Sequence, residues 1–353
     1  MERRRNRRPP GAAAAFSYRG GVRIAGTVLA CDASTGRDLT FISSAAVAPQ
    51  ARLGGGDRGR RQLLLTETTL ALLGRTGERV RRAALCAGYG RPFLLGEVRI
   101  ELFPSGHLPG AASLLAEVEG RRIVYAGSLG VAGFEARTAQ ALWMDATFGH
   151  GRFAFPERAE ALAAARRFTE EALAAGRQPV LLAAPRGDAL DLAAALAEAG
   201  IPSRAGRAVL AAASDFRRAG LPVAPLLRFA GRLRAGEALL WPPDSRDAAI
   251  VRALPSAAFA LVSGWAADSD IARRLRVEAA IPLSDRADRA RLLAYAAATG
   301  ATEIALAGSG AADLVGVLSG DGRRAYVLGP PRQLDLLPPG AVLRTEPCPP
   351  HLG

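Results

Sequence analysis

An α/β fold is predicted, with one α/β unit inserted into another, and three observations predict it. The first third of the chain alternates short apolar runs with glycine-containing turns, the texture of strands joined by hairpins. From Pro156 the pattern lengthens into helices that alternate with buried strands. With 353 residues and 49% apolar content, the chain is long and apolar enough for one large core or two domains.

Residues 22–24 and 27–31 read as a hairpin around Ala25-Gly26, and 39–43 as a further strand. Runs at 93–95, 98–103, 113–118, 122–125 and 141–144 continue the pattern, with Glu119-Gly120 as a hairpin turn between two of them. Gly54, Gly55 and Gly56 make 51–61 a loop. A helix at 157–175 carries Leu162, Ala165 and Phe168 at helical spacing and stops at Gly176. A strand follows at 179–184, then a helix at 188–199 stopped by Gly200. Residues 202–234 read as irregular, and 237–241 as a strand. Beyond them come a strand at 259–262, a helix at 287–299 ended by Gly300, and a strand at 302–307. That strand feeds Gly308-Ser309-Gly310 and a helix to Leu318. The Pro-rich tail, 338–353, is expected to be loose.

All 46 basic residues are arginines, set against 33 acidic ones, for a net charge of +13. The absence of lysine excludes a Walker-A loop, Schiff-base chemistry and any catalytic lysine. Cys31, Cys86 and Cys348 form no Cys-x-x-Cys pair, which argues against a disulfide framework and a cysteine-only zinc site. Residues 1–15 form a basic arm, but the apolar stretch behind it is too short for a secretory signal. No run approaches ~20 uninterrupted apolar residues, so a cytoplasmic protein without membrane association is expected. Arginine-rich faces bind phosphate backbones by charge and bidentate hydrogen bonds. A genomic base-composition bias explains arginine in place of lysine, but not the excess of basic over acidic residues. Aromatics, at 6%, leave little material for a stacking platform.

Four stretches carry a family pattern in order. The first is Phe41-Ile42-Ser43-Ser44-Ala45-Ala46-Val47-Ala48-Pro49. The second runs from Pro104-Ser105-Gly106-His107-Leu108-Pro109-Gly110 to Val124-Tyr125-Ala126-Gly127-Ser128, and the third is Met144-Asp145-Ala146-Thr147-Phe148-Gly149. The fourth leads from Ser263-Gly264-Trp265 through Leu283-Ser284-Asp285-Arg286-Ala287-Asp288 to Ala298-Thr299-Gly300. Together they resemble the metallo-β-lactamase-fold nucleases with a β-CASP insertion. The similarity is strongest to the ligase-associated DNA exonucleases and the messenger-RNA 3′-end-processing-like proteins, and it covers most of residues 16–310. It implies a metallo-β-lactamase αββα sandwich: its first part at 16–155, a β-CASP α/β insertion at 156–255, and a return at 256–337.

That family uses two zinc ions, held first by a Ser-His-x-His-x-Asp-His stretch. Imidazole and carboxylate on alternate positions point such ligands into one cleft. Here Ser44, Ala46, Ala48 and Pro49 stand at those positions, and three of them offer no side-chain donor atom. The resemblance aligns His107 with a later ligand, Ser128 with the bridging aspartate, Arg286 with a histidine, and Gly308 with the final histidine. Of that ligand set His107 alone survives, and a cation at Arg286 would repel a metal. Recruiting Asp145 and Asp285 does not supply two metals' worth of ligands, because the chain has three histidines in all. No metal cofactor and no family-type hydrolysis are expected.

The remaining residues have local readings. His107 is expected to hydrogen-bond locally, Asp145 to cap a turn beside Thr147, and Asp285 to cap the helix that begins near Ala287. His150 is expected at the surface. Gly308-Ser309-Gly310 after a strand, and Pro185-Arg186-Gly187-Asp188 before a helix, are either packing turns or anion-binding turns. Arg286 with Gly308, Ser309 and Gly310 is the candidate phosphate site.

The function expected on this basis is a catalytically inactive relative of these exonucleases. It would serve as a nucleic-acid-binding or accessory protein in DNA repair or RNA processing. Its candidate partners are DNA, RNA, a DNA ligase or an intact paralogous nuclease. The alternative is a regulatory subunit with no nucleic-acid role. Chemistry of another kind in the old cleft would need a nucleophile for His107, for which Ser105 and Ser128 are the candidates.

Overall fold

The computed structural model describes residues 14–34, 39–47 and 62–330. The expected loop at 51–61, most of the arm at 1–15 and the tail at 338–353 lie outside the described residues, as do Ala48 and Pro49. Among the described residues the architecture is mixed α/β, with sheets of six, seven and six strands.

The first sheet begins with an antiparallel hairpin, in which Val22 pairs with Cys31, and continues with parallel strands at Leu39–Phe41, Leu63–Leu65 and Ala84–Cys86. The second sheet holds the strands Phe93–Leu95, Val98–Pro104, Ala112–Val118, Arg121–Gly127 and Ala141–Asp145. Its Glu119-Gly120 turn has φ of 49° and 76°, the left-handed pair that a two-residue hairpin needs to match strand twist. Glu303–Ala307 adds in parallel to Ala141–Asp145, and Arg324–Val327 adds beyond it.

The strand alternation buries one face of each sheet against the other. Phe16, Ile24, Phe41 and Leu64 of the first sheet meet Ile100, Leu114, Tyr125 and Trp143 of the second. On the outer face of the second sheet, Val124, Met144 and Leu306 pack against Tyr295 of helix Arg289–Thr299 and Leu314 of helix Ala311–Gly320. On the outer side of the first sheet, Leu63 and Leu65 share a core with helices Arg158–Ala174, Asp188–Glu198 and Arg207–Arg218 and with one face of the third sheet. Apolar area removed from water on both sides of each sheet holds these layers together.

Two expectations are corrected. Residues 202–234 are not irregular throughout: they contain strands Ser203–Ala205 and Leu227–Arg228 around the helix Arg207–Arg218. That helix buries Val209, Ala212, Ala213 and Phe216 at i, i+3, i+4 and i+7. The return expected at Ser256 also comes later. Ala257–Val262 pairs in parallel with Gln178–Leu182, and Ala279–Ile281 pairs with Ala257–Val262, so both belong to the third sheet. An apolar run buried on both faces fits the centre of either parallel sheet, so its composition could not assign it. The chain rejoins the second sheet's loops where Ala287 N–H donates to the Leu129 carbonyl at 2.8 Å.

Candidate functional site

Strands Arg121–Gly127, Ala141–Asp145 and Glu303–Ala307 run parallel, so their C-terminal ends open on one edge. Ser128, Asp145 and Gly308 therefore converge there, the usual place for a site in a parallel sheet. Segment 283–287 crosses the same edge, with Arg286 bridged to Gly130.

Asp145 is the hub. Its Oδ1 accepts from Thr147 N–H at 2.9 Å and from the Thr147 hydroxyl at 2.6 Å, which closes the expected turn. Its Oδ2 accepts from the Ser128 hydroxyl at 2.9 Å and from Arg286 Nη1 at 3.1 Å. Gly308 has φ of 98°, and a Cβ there would lie 2.8 Å from Asp145 Oδ1 and 2.7 Å from Thr147 N, so only glycine lets this turn close on the carboxylate. Ser128, Leu129, Asp145, Thr147, Phe148, Arg286 and Ala287 line a pocket of about 160 Å³, mouth included. Most of that space is open to solvent, and its enclosed part admits no more than about one water molecule.

A second cluster lies alongside. The His107 side chain is buried, with Nε2 3.3 Å from Asp285 Oδ2 and Nδ1 without a partner among the described residues. Asp285 does not cap the helix expected near Ala287. The cap is Asp288, whose Oδ1 accepts from Arg291 N–H at 3.1 Å, and Asp285 pairs with His107. Asp188, the first residue of its helix, is buried, with Oδ1 3.7 Å from Arg158 Nη1. Burial, reinforced by the Asp285 charge, pushes Asp188 well above the usual carboxylate range. Burial alone would raise Asp285 too, but His107, Arg286 and Arg158 outweigh it and hold Asp285 low.

The first family stretch reaches the same edge through a carboxylate that sequence reasoning missed. Asp32 accepts from Ser43 N–H at 2.8 Å, the Ser43 hydroxyl at 2.6 Å and the Tyr125 hydroxyl at 2.9 Å. Burial still leaves its pKa raised against those three bonds. A lone aspartate outside the quoted stretches carries no spacing signal. Ser44 Oγ accepts from Ala46 N–H at 3.2 Å, a local turn rather than a ligand position.

These residues do not fit a metal pair. Ala46 has no donor atom, Ser44 is engaged with backbone, and a guanidinium stands on Asp145. Among the described residues no group of three or more His, Cys, Asp or Glu side chains is placed to hold a metal ion. Neither candidate serine pairs with His107: Ser128 donates to Asp145, Ser105 is buried, and His107 faces Asp285.

The candidate phosphate site is brought together only in part. Arg286 and Gly308 both abut Asp145, but Gly310 is buried and its N–H donates to the Ala146 carbonyl at 3.1 Å. Gly310 is therefore withdrawn as an anion donor. Ser309 is exposed, with its hydroxyl donating to the Thr147 carbonyl at 2.8 Å. His150 is partly exposed, and its Nδ1 accepts from Arg152 N–H at 3.1 Å.

No family model matches the chain. A curated protein named "Probable DNA ligase", from Opitutus terrae, is 28% identical over 250 residues, which is 69% of this chain and 25% of that protein. The chain thus spans about a quarter of the length of the relative it matches. No helix among the described residues is long and apolar enough to cross a membrane.

Proposed function

We propose that this chain is a non-hydrolytic relative of the metallo-β-lactamase-fold β-CASP nucleases, a cytoplasmic accessory protein that holds nucleic acid in the service of a DNA ligase. The observation that carries the reading is the Arg286–Asp145 ion pair at the ends of the second sheet's parallel strands. In the family those ends hold metal ions that position and polarise a phosphodiester. Here a fixed side-chain cation neutralises the carboxylate that stands at those ends.

Three features support the family frame. Two sheets face each other with helices on their outer sides, a third parallel sheet is spliced into the chain between the strands at 141–145 and 303–307, and the four sequence stretches fall in family order. The likeness to part of a ligase-named protein favours DNA over RNA and a ligase as the working partner. The net charge of +13 suits a phosphate backbone.

Incubating the purified chain with labelled single-stranded and duplex DNA, with and without zinc or manganese, tests the reading. Binding by anisotropy with intact DNA on a denaturing gel is expected. Metal-dependent shortening of the strand, or no binding at low salt, would overturn it.

A further inference from the structure

Although aromatics are scarce, the fold gathers several of them beside the Asp145 pocket. Phe148 lines that pocket, and its ring centroid lies 5.0 Å from Phe153, 5.1 Å from Phe155 and 5.1 Å from Trp265. All these contacts are edge-on, as is that of Trp265 with Phe153 at 5.5 Å, so no parallel ring caps the indole. Trp265 is 40% exposed, and its indole N–H has no partner among the described residues. A core tryptophan would be covered and its N–H satisfied.

The ring is held rigidly from below. Trp265 lies in the 3₁₀ turn Gly264–Ala267, and a Cβ on Gly264 would stand 2.6 Å from Phe148 and 2.9 Å from Phe155. The loop carrying the phenylalanines is tied to the N-cap of helix Arg289–Thr299 by Phe155 N–H donating to Asp288 Oδ2 at 3.1 Å, and to the 3₁₀ turn by Arg152 with Asp268 at 3.4 Å.

The surrounding charge is mixed: Asp268 is paired with Arg152, Asp288 holds the Phe155 N–H, and Asp145 is paired with Arg286. Arg289, half-buried against Gly151 in the same loop, makes no ion pair or hydrogen bond among the described residues. Arg286 shares Nη1 between Asp145 and Thr147, which leaves its other N–H groups to a ligand. A partly exposed indole, with an unpaired guanidinium against the same loop and Arg286 at the neighbouring strand ends, fits the alternation of base and phosphate in a single strand. A duplex, with its bases stacked inside, cannot offer a base to the indole.

We infer that Trp265 is a base-stacking platform for single-stranded nucleic acid, with Arg289 and the Arg286 pocket taking the adjacent phosphates. This rests on the nucleic-acid reading above and specifies its ligand. The test uses the full chain with oligothymidine and a blunt duplex of equal length. Oligothymidine should quench tryptophan fluorescence and bind tighter than the duplex. The quench should vanish in Trp265→Phe and persist in Trp241→Phe. Trp265→Ala should weaken single-strand binding by about fivefold or more, and Arg289→Ala should weaken it while leaving the fold intact by circular dichroism. DNA binding with no quench, and unchanged in Trp265→Phe and Arg289→Ala, would overturn the platform and leave the nucleic-acid reading standing. Absence of any binding at low salt would remove both.

Discussion

Arg286 Nη1 lies 3.1 Å from Asp145 Oδ2, joining positions 141 residues apart in the chain at the mouth of the pocket. With Arg286 31% and Asp145 18% exposed, the pair is partly desolvated, the regime in which a charge-assisted hydrogen bond matters more than at an open surface. Replacing Arg286 with alanine should cost about 1–2 kcal/mol at neutral pH, measured by urea unfolding. Arg286→Lys should recover part of that, because an ammonium cannot reproduce the planar fork. Unchanged stability in Arg286→Ala would make the pair an idle contact.

Gly308 supports the same carboxylate through backbone shape. With φ of 98° and Asp145 Oδ1 and Thr147 N within 3 Å of the site of a Cβ, alanine there must shift the turn. Gly308→Ala should cost ~2 kcal/mol or more and disturb the Asp145 contacts. A variant as stable as the parent would mean that the turn relaxes freely.

Glu303 is the buried carboxylate that ties Ala15, just before the strand Phe16–Tyr18, to the second sheet. It accepts from Ala15 N–H at 3.0 Å and from the Tyr326 hydroxyl at 2.7 Å, and pairs with Arg121. Burial works to raise it, but Tyr326, Ala15 and Arg121 outweigh that and hold its pKa below the usual glutamate value. The folded state thus favours the charged form. Its contribution is complete above the ordinary glutamate range and is lost as pH falls through the depressed value. Glu303→Ala should cost ~3 kcal/mol at pH 7, with the gap to the parent narrowing in acid. A gap independent of pH would contradict this.

Metal should add nothing to the molecule. Purified chain dialysed against zinc or manganese should retain no stoichiometric ion by elemental analysis, and its melting temperature should not rise. One tightly bound ion per chain would show that ligands have been rebuilt.

The second sheet and the helices at 158–174, 188–198 and 289–299 were legible because apolar alternation, helical spacing and terminal glycines agree at each. The helix Arg207–Arg218 was missed because an alanine-rich run with short flanking strands looks irregular next to Pro202 and Gly206, although Val209 and Phe216 held its period. Asp285 and Asp288 are both N-cap residue types, but the helix starts at Arg289, with Arg286 bridged to Gly130, so only Asp288 stands at the cap and Asp285 pairs with His107. That Ala46 and Arg286 offer no metal-binding atom at positions the resemblance assigns to ligands is readable from the sequence. The pairing of Arg286 with Asp145 is not, since no spacing rule links residues brought together by sheet topology. Trp265 stood in a recognised stretch, but its exposure depends on three phenylalanines from a distant loop.

The central claim is that this chain holds a phosphate backbone without cutting it, and a salt series on single-stranded DNA tests it most directly. Affinity should fall linearly on a log–log scale, with a slope of about −0.7 per phosphate contact on single strands and about −0.9 on duplex. The recovered strand should be full length after prolonged incubation with zinc, manganese or magnesium. A salt-independent or undetectable interaction, or a strand shortened only when metal is present, would contradict the account.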